Sequence, residues 1–323
     1  MKTKTTLSFL FSIMILSSVL TVNAQSPFII TVSTPQASYN RGEVVTISGT
    51  LLSNGQSTTG LVGIRVVNGQ SSVAIRTVSA GTVSNPPGAI TQVYLSDSSA
   101  DPVTSVSSGD LAFFTIRVIN NDLTPRDLVA IVTVYDANGV PLSMGGIKHP
   151  QVPPDTGFTS TVSLEIPLSA AGGQAYAYGE LFSNWPNQGG YPLAPETPLL
   201  FTIDAPTHGT GQHSISIGSQ GSYSLSFRLP PTATLGQDDI YVISSVNGVS
   251  ASNLAYFYVK QIGDFNADNR LDFRDLLFFT GNWIAYYNGQ IWDPKIDLNN
   301  DGKVNFNDLM IFTNAWIIYN SAG

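Results

Sequence analysis

The stretch Asp264-Phe265-Asn266-Ala267-Asp268-Asn269-Arg270-Leu271-Asp272-Phe273-Arg274-Asp275-Leu276 is answered 33 residues later by Asp297-Leu298-Asn299-Asn300-Asp301-Gly302-Lys303-Val304-Asn305-Phe306-Asn307-Asp308-Leu309. Oxygen-bearing side chains fall at loop positions 1, 3, 5, 9 and 12 of both copies. Position 7, Arg270 or Lys303, would offer its backbone carbonyl and turn its charge outward. A twelve-residue turn of this kind wraps Ca²⁺ in hard oxygen ligands. The ligand set read from the pattern is Asp264, Asn266, Asp268, Arg270, Asp272 and Asp275 for one ion. Asp297, Asn299, Asp301, Lys303, Asn305 and Asp308 would hold a second.

The repetition continues past the ligands. Phe273 to Thr280 is echoed by Phe306 to Thr313, and Trp283 by Trp316, at the same offset. Leu276, Phe279 and Trp283, like Leu309, Phe312 and Trp316, are spaced i, i+3, i+7, so each loop should feed one amphipathic helix. No helix is expected before either loop. Residues 255–259 read as a strand, and Pro294 leaves only a short stretch before the second loop. The unit is a loop plus its exit helix, twice. The competing reading is a solvated acidic linker.

Residues 260–323, about a fifth of the chain, thereby resemble the type I dockerin module, a pair of F-hands. The resemblance implies two bound Ca²⁺, antiparallel helices and docking onto a cohesin-like domain of another protein. By the same analogy the docking positions would be Phe273, Arg274, Thr280, Phe306, Asn307 and Thr313. Two departures stand out. Asn269 replaces the usual Gly at position 6, which Asn tolerates better than most residues. Positions 10 and 11 carry Phe273-Arg274 and Phe306-Asn307 rather than small hydroxyl residues, so the identity of the partner does not transfer. Loop 1 offers four carboxylates and loop 2 three, which suggests micromolar or tighter affinity. The module should be poorly ordered without metal, because binding energy is also folding energy.

Upstream, Met1 to Ala24 reads as a secretory signal: Lys2 and Lys4, an apolar run from Leu7 to Leu20, then Val22-Asn23-Ala24 before a cut at Gln25. The run is short for a membrane span, and an uncleaved anchor is the alternative. The mature chain is expected to be secreted, or associated with the cell surface. With no cysteine, export would bring no disulfide, leaving stability to apolar cores and metal. A net charge of −8 with only 11% charged residues argues against nucleic acid, which demands a basic surface.

Between the two ends the composition suits β domains rich in turns. Strands are expected at 29–33, 44–51, 61–67, 73–78, 112–119, 129–135, 161–166, 175–182, 199–203, 223–229, 240–244 and 254–259. The spacing suggests immunoglobulin-like β-sandwiches. Residues 25–84 and 205–259 supply about four strands each, too few alone, whereas 85–204 is the size of one complete sandwich. The expected arrangement is a discontinuous outer sandwich with the middle one inserted. Tyr39-Asn40-Arg41-Gly42-Glu43-Val44-Val45-Thr46-Ile47-Ser48-Gly49, Gly221 to Pro230 and Ala233 to Gly236 resemble a macroglobulin-type (MG2-like) immunoglobulin domain, a common spacer or binding module of exported proteins.

No nucleophile elbow, cysteine nucleophile or phosphate-binding loop is present, and the reading is non-enzymatic. His149, His208 and His213 read as solvated loop histidines. A glycosidase would need two carboxyl groups facing one sugar; Glu165, Glu180 and Glu196 are the candidates, the strand pair otherwise simply facing solvent. Tyr176, Tyr178, Phe182, Trp185 and Tyr191 would form either a glycan-stacking face or ordinary core. Carbohydrate recognition or degradation, with the tail as an assembly tag, is therefore the alternative function. Calcium acting only as an intramolecular staple is another.

Overall fold

The computed structural model describes residues 28–321 apart from 70, 206–216, 267, 269 and 300. The signal-like segment, His208 and His213 lie outside the described residues. The chain is mostly β, with two helices near its C-terminus. In order, the strands are β1 (Phe28–Ile30), β2 (Ser38–Asn40), β3 (Val44–Ser53), β4 (Gln56–Ser57), β5 (Gly60–Asn68), β6 (Ser71–Ala80), β7 (Gly88–Ser96), β8 (Ser105–Ser107) and β9 (Leu111–Asn120). There follow β10 (Arg126–Tyr135), β11 (Pro141–Val152), β12 (Gly157–Glu165), β13 (Gly173–Phe182), β14 (Thr197–Asp204), β15 (Ile217–Gly218), β16 (Ser222–Arg228), β17 (Gly236–Val246) and β18 (Val249–Lys260). The helices are α1 (Phe273–Tyr287) and α2 (Phe306–Ser321).

The two outer segments of the β region pair with each other. β16 lies antiparallel to β3, Ser222 opposite Thr50 and Arg228 opposite Val44. β17 lies antiparallel to β5 within a six-stranded sheet ordered β15-β6-β5-β17-β18-β2. Val45, Ile47, Val62, Ile64, Leu225, Phe227, Ile240, Val242 and Phe257 fill the space between these sheets. Each aliphatic or aromatic side chain so buried contributes on the order of 1.5–3 kcal/mol. The alternation of buried and open positions in β16 and β17 follows from having one covered face.

Residues 88–204 build the other two sheets, β11-β10-β13-β14-β8 and β12-β9-β7. Their shared core includes Phe114, Ile116, Val118, Ala130, Val132, Leu181 and Phe201. β10 is buried on both faces, so its sequence does not alternate. Leu128, Ala130, Val132 and Val134 face this core, whereas Val129 and Ile131 meet Ile75 of β6 and Phe182. Gly63 allows that approach, since a Cβ there would stand 2.8 Å from Phe182 Cε1.

β7 and β11 were not expected from the sequence. β7 carries a register shift between Ile90 and Gln92, which breaks its period of two. β11 contains Pro141, Gly145, Gly146 and Pro150, residues that normally punctuate rather than build strands. Gly146 is required by close packing: a Cβ there would fall 2.6 Å from the Ala130 carbonyl oxygen. Both strands lie at sheet edges, where proline is tolerated.

The tail has a small aromatic core of its own. Phe265, Leu271, Phe279, Ile296, Val304, Phe312 and Ala315 are buried together. Phe265 stacks on Phe312 with centroids 5.9 Å apart, and Phe279 makes an edge contact with Trp283 at 5.6 Å.

Candidate calcium loops and apolar helix faces

Each acidic loop is organised by its own side chains accepting backbone N–H groups. In the first, the N–H of Asp268 donates to Asp264 Oδ1 at 3.2 Å and to Asn266 Oδ1 at 2.9 Å. In the second, the N–H of Asp301 donates to Asp297 Oδ1 at 3.1 Å and Asn299 Oδ1 at 3.0 Å. Positions 1 and 3 thus bring oxygens to the same nitrogen in both copies. The N–H of Gly302 further holds Asp297 Oδ2 at 2.9 Å, with Gly302 at φ +78°, a conformation glycine adopts at little cost. The N–H groups of Arg270 and Lys303 donate to Asp268 Oδ1 and Asp301 Oδ1, both at 2.9 Å. Both long cationic residues are exposed.

Positions 9 and 12 open the helices. Asp272 caps α1 by accepting from the N–H of Arg274 at 2.8 Å, while Asp275 Oδ2 accepts from the N–H of Asp272 at 3.0 Å, a capping box. Asn305 and Asp308 repeat this at α2: the N–H of Asn307 donates to Asn305 Oδ1, and that of Asn305 to Asp308 Oδ2, both at 2.8 Å. Asp275 and Asp308 are fully buried. Their Oδ1 atoms accept the N–H groups of Phe265 and Leu298, at 2.9 and 2.8 Å, tying each helix start back to position 2 of its loop.

Among the described residues, no three Asp, Glu or His side chains are gathered into a ready-made metal cluster. The donors are instead a mixed run of carboxylate and amide oxygens along one turn, with a backbone carbonyl at position 7. They are hard oxygens without thiolate or imidazole, the set that suits Ca²⁺. Both oxygens of Asp275 accept one backbone N–H each and hold a second lone pair, as does Asp308 Oδ2, whereas Asp308 Oδ1 accepts two, from Leu298 at 2.8 Å and Asn299 at 3.3 Å. On these grounds the residues fit a calcium ion in each loop.

Burial runs in step through the two copies. From Leu271 to Phe279 and from Val304 to Phe312, every residue shares the exposure class of its counterpart. The core-facing residues of the helices are those the i, i+3, i+7 spacing selects. The opposite faces are also apolar, which that reading passed over. α1 exposes Phe273, Leu277, Ile284 and Tyr287; α2 exposes Phe306, Met310 and Ile317. Counted from the first phenylalanine of each helix, these lie at i, i+4, i+11 and, in α1, i+14, one stripe per helix. The signal was present in the sequence but lay beneath the stronger core period.

The six docking positions expected by analogy divide. Phe273 and Phe306 head the stripes at 62% and 65% exposure. Arg274 stands in solvent, 3.8 Å from Asp268 Oδ2; Asn307 is exposed as well. Thr280 and Thr313 turn their hydroxyls back to the carbonyls of Leu276 and Leu309, at 2.8 and 2.7 Å. Thr280 also borders a shallow apolar depression of about 530 Å³ with Trp283, Ile284 and Tyr287.

The remaining candidates occupy other places. His149 is not a solvated loop residue: it lies in β11, stacked on Phe158 at 3.7 Å, with Nε2 3.3 Å from Ser160 Oγ. Tyr178 and Phe182 are core, Tyr191 packs on the middle core, and Trp185 lies against the cluster of Ile75, Val129, Ile131 and Phe182. Tyr176, Tyr178 and Glu180 do share a face, but β6 covers it, and Tyr178 joins the core of the outer segments. That face is therefore unavailable for stacking a sugar.

Glu165 is exposed at the end of β12. Glu180, contrary to the solvent-facing expectation, is completely buried with neither carboxyl oxygen hydrogen-bonded. Burial first, and then the Glu196 carboxylate, push Glu180 well above the usual carboxylate range. Glu196 forms a two-pronged pair with Arg76, Nε to Oε2 at 2.8 Å and Nη2 to Oε1 at 2.5 Å. The Arg76 guanidinium lies 3.3 Å from the Tyr178 ring centroid. Burial opposes its charge, but Glu196 outweighs that cost and Arg76 is held above its ordinary value. Arg76 comes from β6 and Glu196 from the residue just before β14, so this cluster joins the outer segments to the middle one.

No protein-family model matches the chain, and no curated protein does. Solved structures give remote similarity only. The C-terminal domain of wzt is 12% identical, with 37% of this chain and 74% of that one covered at a TM-score of 0.30. A Niemann-Pick type C2 protein from Japanese carpenter ant is 9% identical over 38% and 96%, TM-score 0.26. Bacteroides uniformis β-glucuronidase is 11% identical over 51% of this chain and 27% of its own, TM-score 0.28.

Proposed function

We propose that this chain is a non-enzymatic, exported modular protein whose tail binds two Ca²⁺ ions and docks, when calcium-loaded, onto a cohesin-like domain of a partner. The β region is read as two immunoglobulin-like sandwiches, the second carried between β6 and β15 of the first, serving as spacer or binding body. The observation that carries this is the position-by-position agreement of the two loop–helix units, from the shared N–H at position 5 to the paired apolar stripes. Asp264, Asn266, Asp268, Asp272, Asp275 and the Arg270 carbonyl would hold one ion. Asp297, Asn299, Asp301, Asn305, Asp308 and the Lys303 carbonyl would hold the other. The ions neutralise carboxylates crowded along one turn and so fix the start of each exit helix.

One observation favours a second reading, calcium as an internal staple. Arg41 donates to the Ala233 carbonyl at 2.7 Å and to Gln261 Oε1 at 2.9 Å, seating the base of the tail on the β region. Calorimetric titration of the full chain with Ca²⁺, followed by titration with purified cohesin domains, separates the readings. Uptake of two ions followed by docking supports the proposal. Uptake without docking leaves the staple, and no uptake overturns both.

A further inference from the structure

Among the described residues from 28 to 260, only three aromatic rings are exposed, and all three lie on one surface: Tyr241, Tyr256 and Tyr258, at 43%, 55% and 42% exposure. They project from the outer face of the β17–β18 pair, with Asp239 directly opposite Tyr256 and Gln237 opposite Tyr258. Beside Tyr241 the face deepens into a groove of about 610 Å³. Gly63, with Phe182 packed against it, lines the groove on one side, and Pro186, Asn187 and Gly189 of the middle segment line it as well.

Polar groups are fixed between the rings. The Tyr258 hydroxyl donates to Gln237 Oε1 at 3.2 Å, and Gln237 Nε2 donates to Asp239 Oδ1 at 2.7 Å. Arg65 lies over Tyr241 with its guanidinium carbon 5.8 Å from the centroid, while its Nε is held by Ser72 Oγ at 2.8 Å. Rings presenting apolar faces, alternating with a carboxylate, an amide and a guanidinium, match a ligand that is itself apolar on its faces and hydroxylated at its edges.

We infer that this groove and the tyrosine face beside it bind a neutral oligosaccharide, with Tyr241 at the groove and Tyr256 on the face stacking sugar rings, Arg65 and Asn187 addressing hydroxyls in the groove and Asp239 addressing them beside Tyr256. The other ligand classes fit poorly. An extended peptide gains its affinity by adding to a sheet edge, but these tyrosines project from the face of the sheet, and β17, which carries Tyr241, is paired on both sides, with β5 and with β18. Nucleic acid meets a chain of net charge −8. Arg65 is the one charged residue lining the groove and Asp239 lies on the face beside it, a single opposed pair that favours neither a polyanion nor a polycation. The groove beside Tyr241 shares no lining residue with the cleft in which Tyr258 meets Asp264 and Asp297 of the two loops, so it stands or falls independently of the docking reading.

The test is affinity electrophoresis of the full chain through gels containing xylan, mixed-linkage β-glucan, galactomannan or polygalacturonate, repeated with calcium chelated. Retardation by at least one neutral polymer is expected, weakened about tenfold, or about 1.4 kcal/mol, in both Tyr241→Ala and Tyr256→Ala. The truncated rings are already exposed, so an unchanged melting temperature is expected and shows that the fold is intact. The proposal is overturned if no neutral polymer retards the chain, if polygalacturonate alone does, or if both variants migrate like the parent. Retardation that vanished on chelation would place binding on the tail and would equally overturn it.

Discussion

Phe279 and Phe312, equivalent residues of the two tail copies, stack with ring centroids 5.5 Å apart and planes 21° from parallel. Both are fully or almost fully buried, and Phe265 stacks on each. The core of the tail is thus the contact between one repeat and the other. Neither loop–helix unit can bury its apolar face without its twin.

Phe279→Ala should therefore damage both halves at once. Removing a buried phenylalanine costs roughly 3–5 kcal/mol, a large share of what so small a module can hold. Trp283, Trp292 and Trp316, three of the chain's four tryptophans, lie in the tail and report on it. The expected outcome is a red-shifted tryptophan emission at room temperature, with the β-region melting transition unchanged. A native emission spectrum in this variant would contradict the account.

Calcium should act on the same signal. Carboxylates lining a turn repel one another, and an ion that binds only the folded form stabilises it by about 2.7 kcal/mol when present at a hundred times its Kd. Chelation is expected to lower the tail's melting temperature while leaving the β transition in place. Asp297→Ala should remove one of two ions from a calorimetric titration and leave the first loop's uptake intact. Equal stoichiometry in parent and variant would exclude Asp297 as a ligand.

The boundary between the outer and middle segments predicts a pH dependence. Glu180 has its folded pKa raised by burial and by Glu196, so the folded state holds a proton that the unfolded chain releases near pH 4.3. Stability is then fully present below that value and declines as pH rises toward the raised folded pKa. Asp238, pushed up to about 6 by burial, adds to the decline in the same direction. Urea denaturation between pH 4 and pH 8, values that bracket about 4.3 and about 6, should show a shallower fall for Glu180→Gln than for the parent. Arg76→Met should cost about 3–5 kcal/mol, because it strands the buried Glu196 carboxylate.

The sequence reading reached these features unevenly, for physical reasons. Strands with one covered face, such as β16 and β17, alternate and could be placed. β10 could be placed only as an apolar run, because both of its faces are covered and nothing in its composition tells which side chains face which core. Glu180 reads from the sequence as facing solvent, and it is buried. A charged residue in a strand normally turns to water, and only the arrival of β6, about a hundred residues earlier in the chain, buries it. The loops were legible because their chemistry is local: every oxygen of a turn comes from consecutive residues, and the duplication doubled the signal. On the helices, Leu276, Phe279 and Trp283 identified the core face, but the same apolar richness obscured the opposite face.

That opposite face supplies the sharpest test of docking. Leu277 and Met310 occupy equivalent positions in the two stripes and are 57% and 47% exposed. Substitution at exposed helix positions usually shifts stability by no more than about 0.5 kcal/mol, so Leu277→Asp and Met310→Asp should fold and take up calcium like the parent. An apolar contact at the centre of an interface is worth considerably more, on the order of 2 kcal/mol or above. A carboxylate buried there would also have to be stripped of water. If both stripes meet the partner together, each variant should weaken cohesin capture at least about thirtyfold, or about 2 kcal/mol. If one stripe suffices, only the double variant should lose capture. Surface plasmon resonance on immobilised cohesin domains distinguishes the two outcomes, and unaltered capture by the double variant would move the docking face off these helices.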